Sequence, residues 1–259
     1  MESSYHKLAW RIKRAMDVAV AGVGLVVLSP IIVLMAVIVR IETRGPAIYK
    51  HTRIGKDGKP FDLYKIRSMQ TGGDDTAYEL YLRQLIESSQ GSNVGMPYIK
   101  MEKDSRVTRV GGFLRKYYLD ELPQLWNIVK GDMSLIGPRP HMQLEVDHYK
   151  PTQLQRLIVR PGLTGLWQVD GKADCSFAEL IALDLEYINH WSPRLDYTIM
   201  IKTLGLMIRG GEGSWSRTTK RIPGLNWARF GIQQTESTNR RKAHKKATFL
   251  RKIIHKRSR

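Results

Sequence analysis

The run VAVAGVGLVVLSPIIVLMAVIV, Val18–Val39, decides the class of this chain, because 22 consecutive residues carry no charge. As a straight helix it would extend about 33 Å at 1.5 Å per residue, enough for the hydrocarbon core of a bilayer. A secretory leader would show a shorter apolar run and a small-residue cleavage site, and neither is evident. The chain is therefore expected at a membrane. On length alone, one spanning helix accounts for the run as well as any other path. Two features argue for a different one. Ser29-Pro30 lies near the middle, where proline removes a backbone hydrogen bond and bends a helix. Basic residues also flank both sides: Lys7, Arg11, Lys13 and Arg14 before the run, and Arg40, Arg44, Lys50 and Arg53 after it. Positive flanks favour the cytoplasmic face. A helix that enters, breaks at Ser29 and Pro30 and leaves by the same face satisfies both, with Ser29 bonding a carbonyl that Pro30 frees. Residues 1–44 are thus expected to form a re-entrant membrane helix with basic flanks.

Working outward, the 259 residues leave room for one sizeable domain and an extension. A single cysteine, Cys175, excludes an internal disulfide and a Cys-rich zinc site and fits a reducing compartment. The net charge of +18 at first points to nucleic acid. Its distribution argues against that, because residues 212–259 hold fourteen Lys/Arg and two Glu. In that tail, RRKAHKKATFLRKIIHKRSR spaces Phe249, Leu250, Ile253 and Ile254 as on a helix among basic residues, which suits anionic lipid rather than nucleic acid. The expected division is 1–44 membrane helix, 45–211 cytosolic catalytic domain at the membrane face, and 212–259 basic extension.

Inside the domain, residues 47–54 and 61–69 read as strands joined at Asp57-Gly58, a strong hairpin turn signal. The period of two places Lys65 and Arg67 on one face; a solvated basic face explains that as well as a phosphate-binding one. Residues 76–87 predict an amphipathic helix with Leu80, Leu82, Leu85 and Ile86 inward, followed by the loop SSQGSNVGMP. Ser176 and Glu179 form a capping box for SFAELIALDLEYI, and Asp184 falls on that helix's apolar stripe. A carboxylate there needs an arginine, a metal or a backbone partner. Residues 195–209 are apolar almost all round, which suits a helix buried or lying on the bilayer. The fold class expected is α+β, mainly helical, with a small β-hairpin or sheet among amphipathic helices.

The chemistry concentrates in KYYLDELPQLWNIVKGDMSLIGPRP, residues 116–140. Asp120 is placed to cap a helix, with Glu121 at its first position and Pro123 in the tolerant first turn. Capping alone accounts for an isolated LDELP. The same helix start also stabilises anions, so it keeps Asp120 ionised and offers N–H groups to phosphate. An ionised carboxylate there can attack phosphorus, and Glu121 beside it can hold Mg²⁺. The cations for such a reaction are Arg115, Arg139 clamped between two prolines, Lys65 and Arg67, and Arg160 opening RPGLTGLWQV. No Walker loop, HExxH or GxSxG motif competes. An acid nucleophile, arginines and a divalent cation at a bilayer point to phosphoryl transfer.

At this point the chain closely resembles the bacterial sugar transferase family, the monotopic polyprenyl-phosphate phosphoglycosyl transferases. The matching pieces are KRAMD (13–17), the Ser29-Pro30 segment, GPAIYKHTRIGKDGKPFDLYKIRSM (45–69), KDSRVTRVGGFLRKYYLDELPQLWNIVKGDMSLIGPRP (103–140), RPGLTGLWQVDGK (160–172) and LDLEYI (183–188). They follow in order over about residues 10–210. The resemblance implies a ping-pong reaction in which Asp120 attacks the β-phosphate of a nucleotide sugar, usually a UDP-sugar. The nucleoside monophosphate leaves, and the phosphosugar passes to polyprenyl (undecaprenyl) phosphate. It implies Glu121 as the acid associated with Mg²⁺, and it matches Arg67, Arg115, Arg139, Arg160 and Asp184 to the family's active-site cluster. It implies a re-entrant helix broken at Ser-Pro, a place on the cytosolic face of the bacterial inner membrane, and the first membrane step of exopolysaccharide, capsule, O-antigen or glycoprotein glycan assembly.

The chain departs from the family pattern at Tyr117-Tyr118, where smaller residues are common, and at VDGK, which leaves Lys172 without an assigned role. Two other readings stay open on residues alone: a hydrolase that releases the aspartyl intermediate to water, and a basic membrane-tethered adaptor resting on the tail. The sugar, the nucleotide base and the oligomeric state, a homo-oligomer included, are not encoded in these motifs.

Overall fold

The computed structural model describes residues 4–70, 76–91, 106–170 and 175–208. The basic extension, Lys172 and residues 92–97 of the expected loop lie outside the described residues. The expected class holds: helices dominate, with two small two-stranded sheets.

The uncharged run lies in α1, Ser4–Glu42, which among the described residues is the one helix long and apolar enough to cross a membrane. It is not interrupted at Ser29-Pro30, since Pro30 sits inside the helix. Proline at 30 leaves the carbonyl of Val26 without its i+4 donor, and Ser29 Oγ donates to that carbonyl at 2.8 Å. The expected break is thus an internally repaired proline site. One face of α1, with Lys13, Asp17, Ala21 and Val39, is buried. Leu8, Ile12, Met16, Val20, Val23 and Val27 lead a continuous exposed apolar stripe on the other, at the three-to-four-residue spacing of one helix face.

The hairpin is β1 (Ile48–Ile54) and β2 (Pro60–Ile66), antiparallel with Ile48 opposite Ile66 and Ile54 opposite Pro60. The turn holds Asp57 at φ 58° and Gly58 at φ 73°, as an Asp-Gly turn requires. Helix α2 (Thr76–Gly91) buries Leu82, Leu85 and Ile86, but Leu80, expected inward, is 54 % exposed. Two residues turn a helix by about 200°, so Leu80 points away from the stripe that Leu82 joins.

Helix α3 (Arg109–Lys116) leads through a 3₁₀ turn, Leu119–Glu121, into α4 (Gln124–Lys130) and then β3 (Ser134–Ile136). After α5 (Gln143–Val146) and a 3₁₀ segment at Pro151–Ile158 comes β4 (Gly162–Thr164), which pairs parallel with β3. This second sheet presses the GPRP and RPGLTG loops backbone to backbone. Gly162 N donates to Pro138 O at 2.8 Å, and a Cβ on Gly162 would overlap the main chain of Gly137. Helices α6 (Leu166–Asp170), α7 (Phe177–Asn189) and α8 (Pro193–Ile208) complete the described chain. The Ser176–Glu179 capping box forms as expected.

Both halves of α1 rest on the domain. Ala21, Leu25 and Leu28 join Leu125, Ile128 and Met133, while Met35 and Val39 pack with Ile66 and Leu114. Polar ties fix the first half: Asp196 at the start of α8 accepts from Lys13 Nζ (2.8 Å), Tyr187 Oη (2.8 Å) and Trp191 Nε1 (3.1 Å), and Asp17 accepts from Ser134 Oγ at 2.7 Å.

Asn127, fully buried, joins α4 to β2: its Nδ2 donates to Asp62 O at 2.7 Å and its Oδ1 accepts from Tyr64 N at 3.1 Å. Asn127→Ala should therefore strand two main-chain groups and cost about 2–3 kcal/mol, read as a lowered thermal midpoint of the purified protein.

Candidate active site

The site grows from the segment between α3 and α4. Tyr118 adopts the left-handed conformation (φ 58°, ψ 21°), which turns the chain sharply out of α3 before Leu119. The following 3₁₀ turn sets Asp120, 7 % exposed, beside Glu121. Asp120 does not cap α4: that helix starts at Gln124, with Pro123 in the cap position and no side-chain cap bond. The expected capping is replaced by a turn packed on β2 and α3. From β2, Lys65 Nζ donates to Glu121 Oε1 at 2.7 Å, with both side chains largely buried. Lys65, Asp120 and Glu121 are thus brought together by the hairpin and the turn, and Arg115, partly buried in the last turn of α3, leads into them.

Other expected cations are elsewhere. Arg67, 5 % exposed, donates to Thr43 O (2.8 Å), Thr43 Oγ1 (2.7 Å) and Arg44 O (3.0 Å), so it closes the end of α1. Its own N–H donates to Ala47 O at 2.8 Å, continuing the hairpin pairing one residue past Ile66. Arg160 Nε donates to Gly131 O at 2.8 Å, at the C-terminal end of α4. Asp120 precedes the opposite end, and α4 alone is roughly 10 Å long.

Behind Arg139 lies a buried polar network. Arg139 holds its guanidinium 5.5 Å over the Trp167 ring, and its carbonyl accepts from Arg156 Nη2 at 3.1 Å. Arg156 pairs with Asp184 through Nε (3.1 Å) and through Nη2, and donates to Tyr149 Oη. Of the partners open to Asp184 in sequence, the structure supplies the arginine. The carboxylate is 0 % exposed, so it supports the loop beneath Arg139 from inside. His141 Nδ1 lies 2.6 Å from Tyr149 Oη and 2.8 Å from Arg156 Nη1. Burial first, then Arg156, Arg139 and Arg53, push the His141 pKa well below the usual value, so it stays neutral and accepts at Nδ1. Sequence reasoning missed Arg156, His141 and Tyr149. The one available signal was an unpartnered Asp184 needing an arginine, with Arg156 the basic residue before Arg160 in QRLIVRPG.

Among the described residues no group of three or more His, Cys, Asp or Glu could hold a metal. Mg²⁺, expected from the sequence, is bound through one or two carboxylates plus substrate phosphates and water rather than by an all-protein cage, and the carboxylates of this turn are Asp120 and Glu121.

The turn sets two carboxylates beside a lysine, and the sequence matches define the class of the chain as a transferase. The Bacterial sugar transferase family profile matches residues 8–210, and the chain belongs to that family. It is 40 % identical over 194 residues to the exopolysaccharide production protein ExoY of Rhizobium meliloti (strain 1021), covering 74 % of this chain and 83 % of that protein. It is 38 % identical to the UDP-glucose:undecaprenyl-phosphate glucose-1-phosphate transferase of Caulobacter vibrioides (74 % of this chain, 68 % of the other). It is 37 % identical to the undecaprenyl-phosphate galactose phosphotransferase of Salmonella typhimurium, where the match covers 76 % of this chain and 40 % of the longer relative.

Burial pushes the Asp184 carboxyl up to about 6 against the pull of Arg156. A carboxyl raised on folding stabilises the fold most below its unfolded value, and that contribution is lost as pH rises through the folded one. The stability of the wild type relative to Asp184→Asn should therefore fall between pH 4 and 7 and then level off. Asp184→Ala, which leaves Arg156 buried without its counter-charge, should cost about 3–5 kcal/mol in chemical denaturation at pH 7.5.

Proposed function

We propose that this chain transfers a sugar-1-phosphate from a nucleotide-diphosphate sugar, a UDP-sugar, to undecaprenyl phosphate, the initiating step of a surface polysaccharide or glycan. The observation that carries the reading is the buried Asp120–Glu121 turn, with Lys65 on Glu121, in a chain whose relatives carry such transfers in their names.

Asp120 is the nucleophile. Its carboxylate oxygen forms a bond to the β-phosphorus of the donor while the bond to the nucleoside monophosphate breaks. In the second half-reaction a phosphate oxygen of the polyprenyl acceptor attacks the same phosphorus and the Asp120 carboxylate leaves. Both steps pass charge to phosphoryl oxygens, which cations offset. Lys65 holds Glu121 in place beside the nucleophile. The Asp120 carboxylate sits in a mostly buried turn, which limits water at the acyl phosphate and favours transfer over the hydrolytic alternative. Mg²⁺ held by Glu121 and the donor diphosphate would supply additional charge neutralisation. Arg139, set on Trp167 and buttressed by Arg156, is a clamp for phosphate oxygens.

The same reading places the domain on the cytosolic face of the inner membrane, with α1 re-entrant. In support, both ends of α1 pack on one domain, and basic residues flank both ends.

With undecaprenyl phosphate and a panel of nucleotide sugars, the wild type should release nucleoside monophosphate and carry a labelled sugar-phosphate adduct. Asp120→Asn should lose both; an adduct that survives in that variant refutes the nucleophile assignment. For the topology, cysteines placed at residue 1 and just after residue 60 should be labelled from the same side of the membrane.

A further inference from the structure

We infer that the membrane helix is a brace for the catalytic turn, with Arg14 and Glu42 as positioning residues that act through the ends of α4 and α3; the catalytic part rests on the function proposed above.

Helices α3 and α4 flank the Asp120–Glu121 turn, and each presents one end to α1. At the C-terminal end of α4 Arg14 Nη1 donates to Ile128 O (2.7 Å), which Gly131 N also reaches, and to Met133 O just past the helix (3.3 Å), while Nη2 donates to Val129 O (3.2 Å). Arg160 takes Gly131 O beside it. Gly131, at φ 106°, ends the helix, and a Cβ there would stand 3.5 Å from Arg14 Nη2. At the other end of α1, Glu42 Oε1 accepts from Val110 N at 3.1 Å, in the first turn of α3, where Thr108 already caps Gly111 N.

The signs match the helices: a cation lies at the end where carbonyls are exposed and an anion at the end where N–H groups are. Residues of α1 therefore hold the outer ends of both helices whose inner ends meet at Asp120. Arg67 adds a third tie, from β2 beside Lys65 to Thr43 and Arg44 just past α1. Packing supports the geometry, since Gly24 lets Leu125 approach to 3.4 Å of where its Cβ would be. An apolar anchor has no need of charges aimed at these two helix ends. A brace does.

The full-length protein in lipid nanodiscs tests this with Glu42→Lys, Glu42→Gln, Arg14→Gln and Arg14→Lys. Glu42 is exposed, so its variants should fold. Glu42→Lys and Arg14→Gln should lower kcat about tenfold or more with the donor KM within twofold. Arg14→Lys, which keeps the charge without the fork, should fall between. Amide hydrogen exchange should rise in peptides covering 117–123 while the cores of α7 and α8 stay as protected as in the wild type. The brace is overturned if Glu42→Lys keeps kcat within twofold and leaves exchange at 117–123 unchanged. It is equally overturned if exchange rises throughout the domain, which marks a general loss of stability. Should Arg14→Gln fail to accumulate, Glu42→Lys decides. If the wild type releases no nucleoside monophosphate with any donor, the proposed function fails, and the exchange measurements still judge the brace.

Discussion

The last carbonyls of α4 have no partner within their own helix, and the element lying against them is an apolar membrane helix. Arg14 is the residue that reconciles the two, because its planar fork reaches three carbonyls at once. Around that contact the same helix sinks Lys13 and Asp17 into the domain, where they meet Asp196 and Ser134. Buried charges of this kind are tolerated only when fully paired, so they set the register of α1 on the domain as apolar contacts alone would not. Exposed apolar residues from Leu8 to Ile41 line its outward side.

From that docking the rest of the site follows. Helix α4 holds β2 through Asn127, and β2 carries Lys65 to Glu121. The GPRP loop depends on glycine contacts with RPGLTG and on the Asp184–Arg156 pair beneath it. The two regions have different physics. The Asp120 turn is positioned by helix ends and a strand, whereas Arg139 is positioned by a buried ionic network with a neutral histidine at its centre.

Much of this was legible in the primary structure. The hairpin announced itself through alternation and Asp-Gly, α7 through its capping box, and α1 through a run without charge. Errors fell where a local rule met a tertiary contact. Asp120 looked like an N-cap because Asp before Pro often is one, yet Tyr118 in the left-handed region turns the chain so that a 3₁₀ turn intervenes. Alternation pairs Lys65 with Arg67, and it cannot foresee that the Arg67 guanidinium is taken up by Thr43 and Arg44. Leu80 shows how a list of apolar residues is not yet a stripe.

Sequence by itself determined the class of molecule, the order of its elements and the residues able to carry chemistry, because charge-free length, periodicity and turn chemistry are local properties of the chain. Tertiary structure alone decided which of those residues meet. It put Arg67 at the end of α1, Arg160 at the far end of α4, and Asp184 under Arg139 on Arg156, a residue no motif had marked. The physical reason is that a buried charge takes whatever partner folding brings within hydrogen-bond reach, and that partner can lie anywhere in the chain.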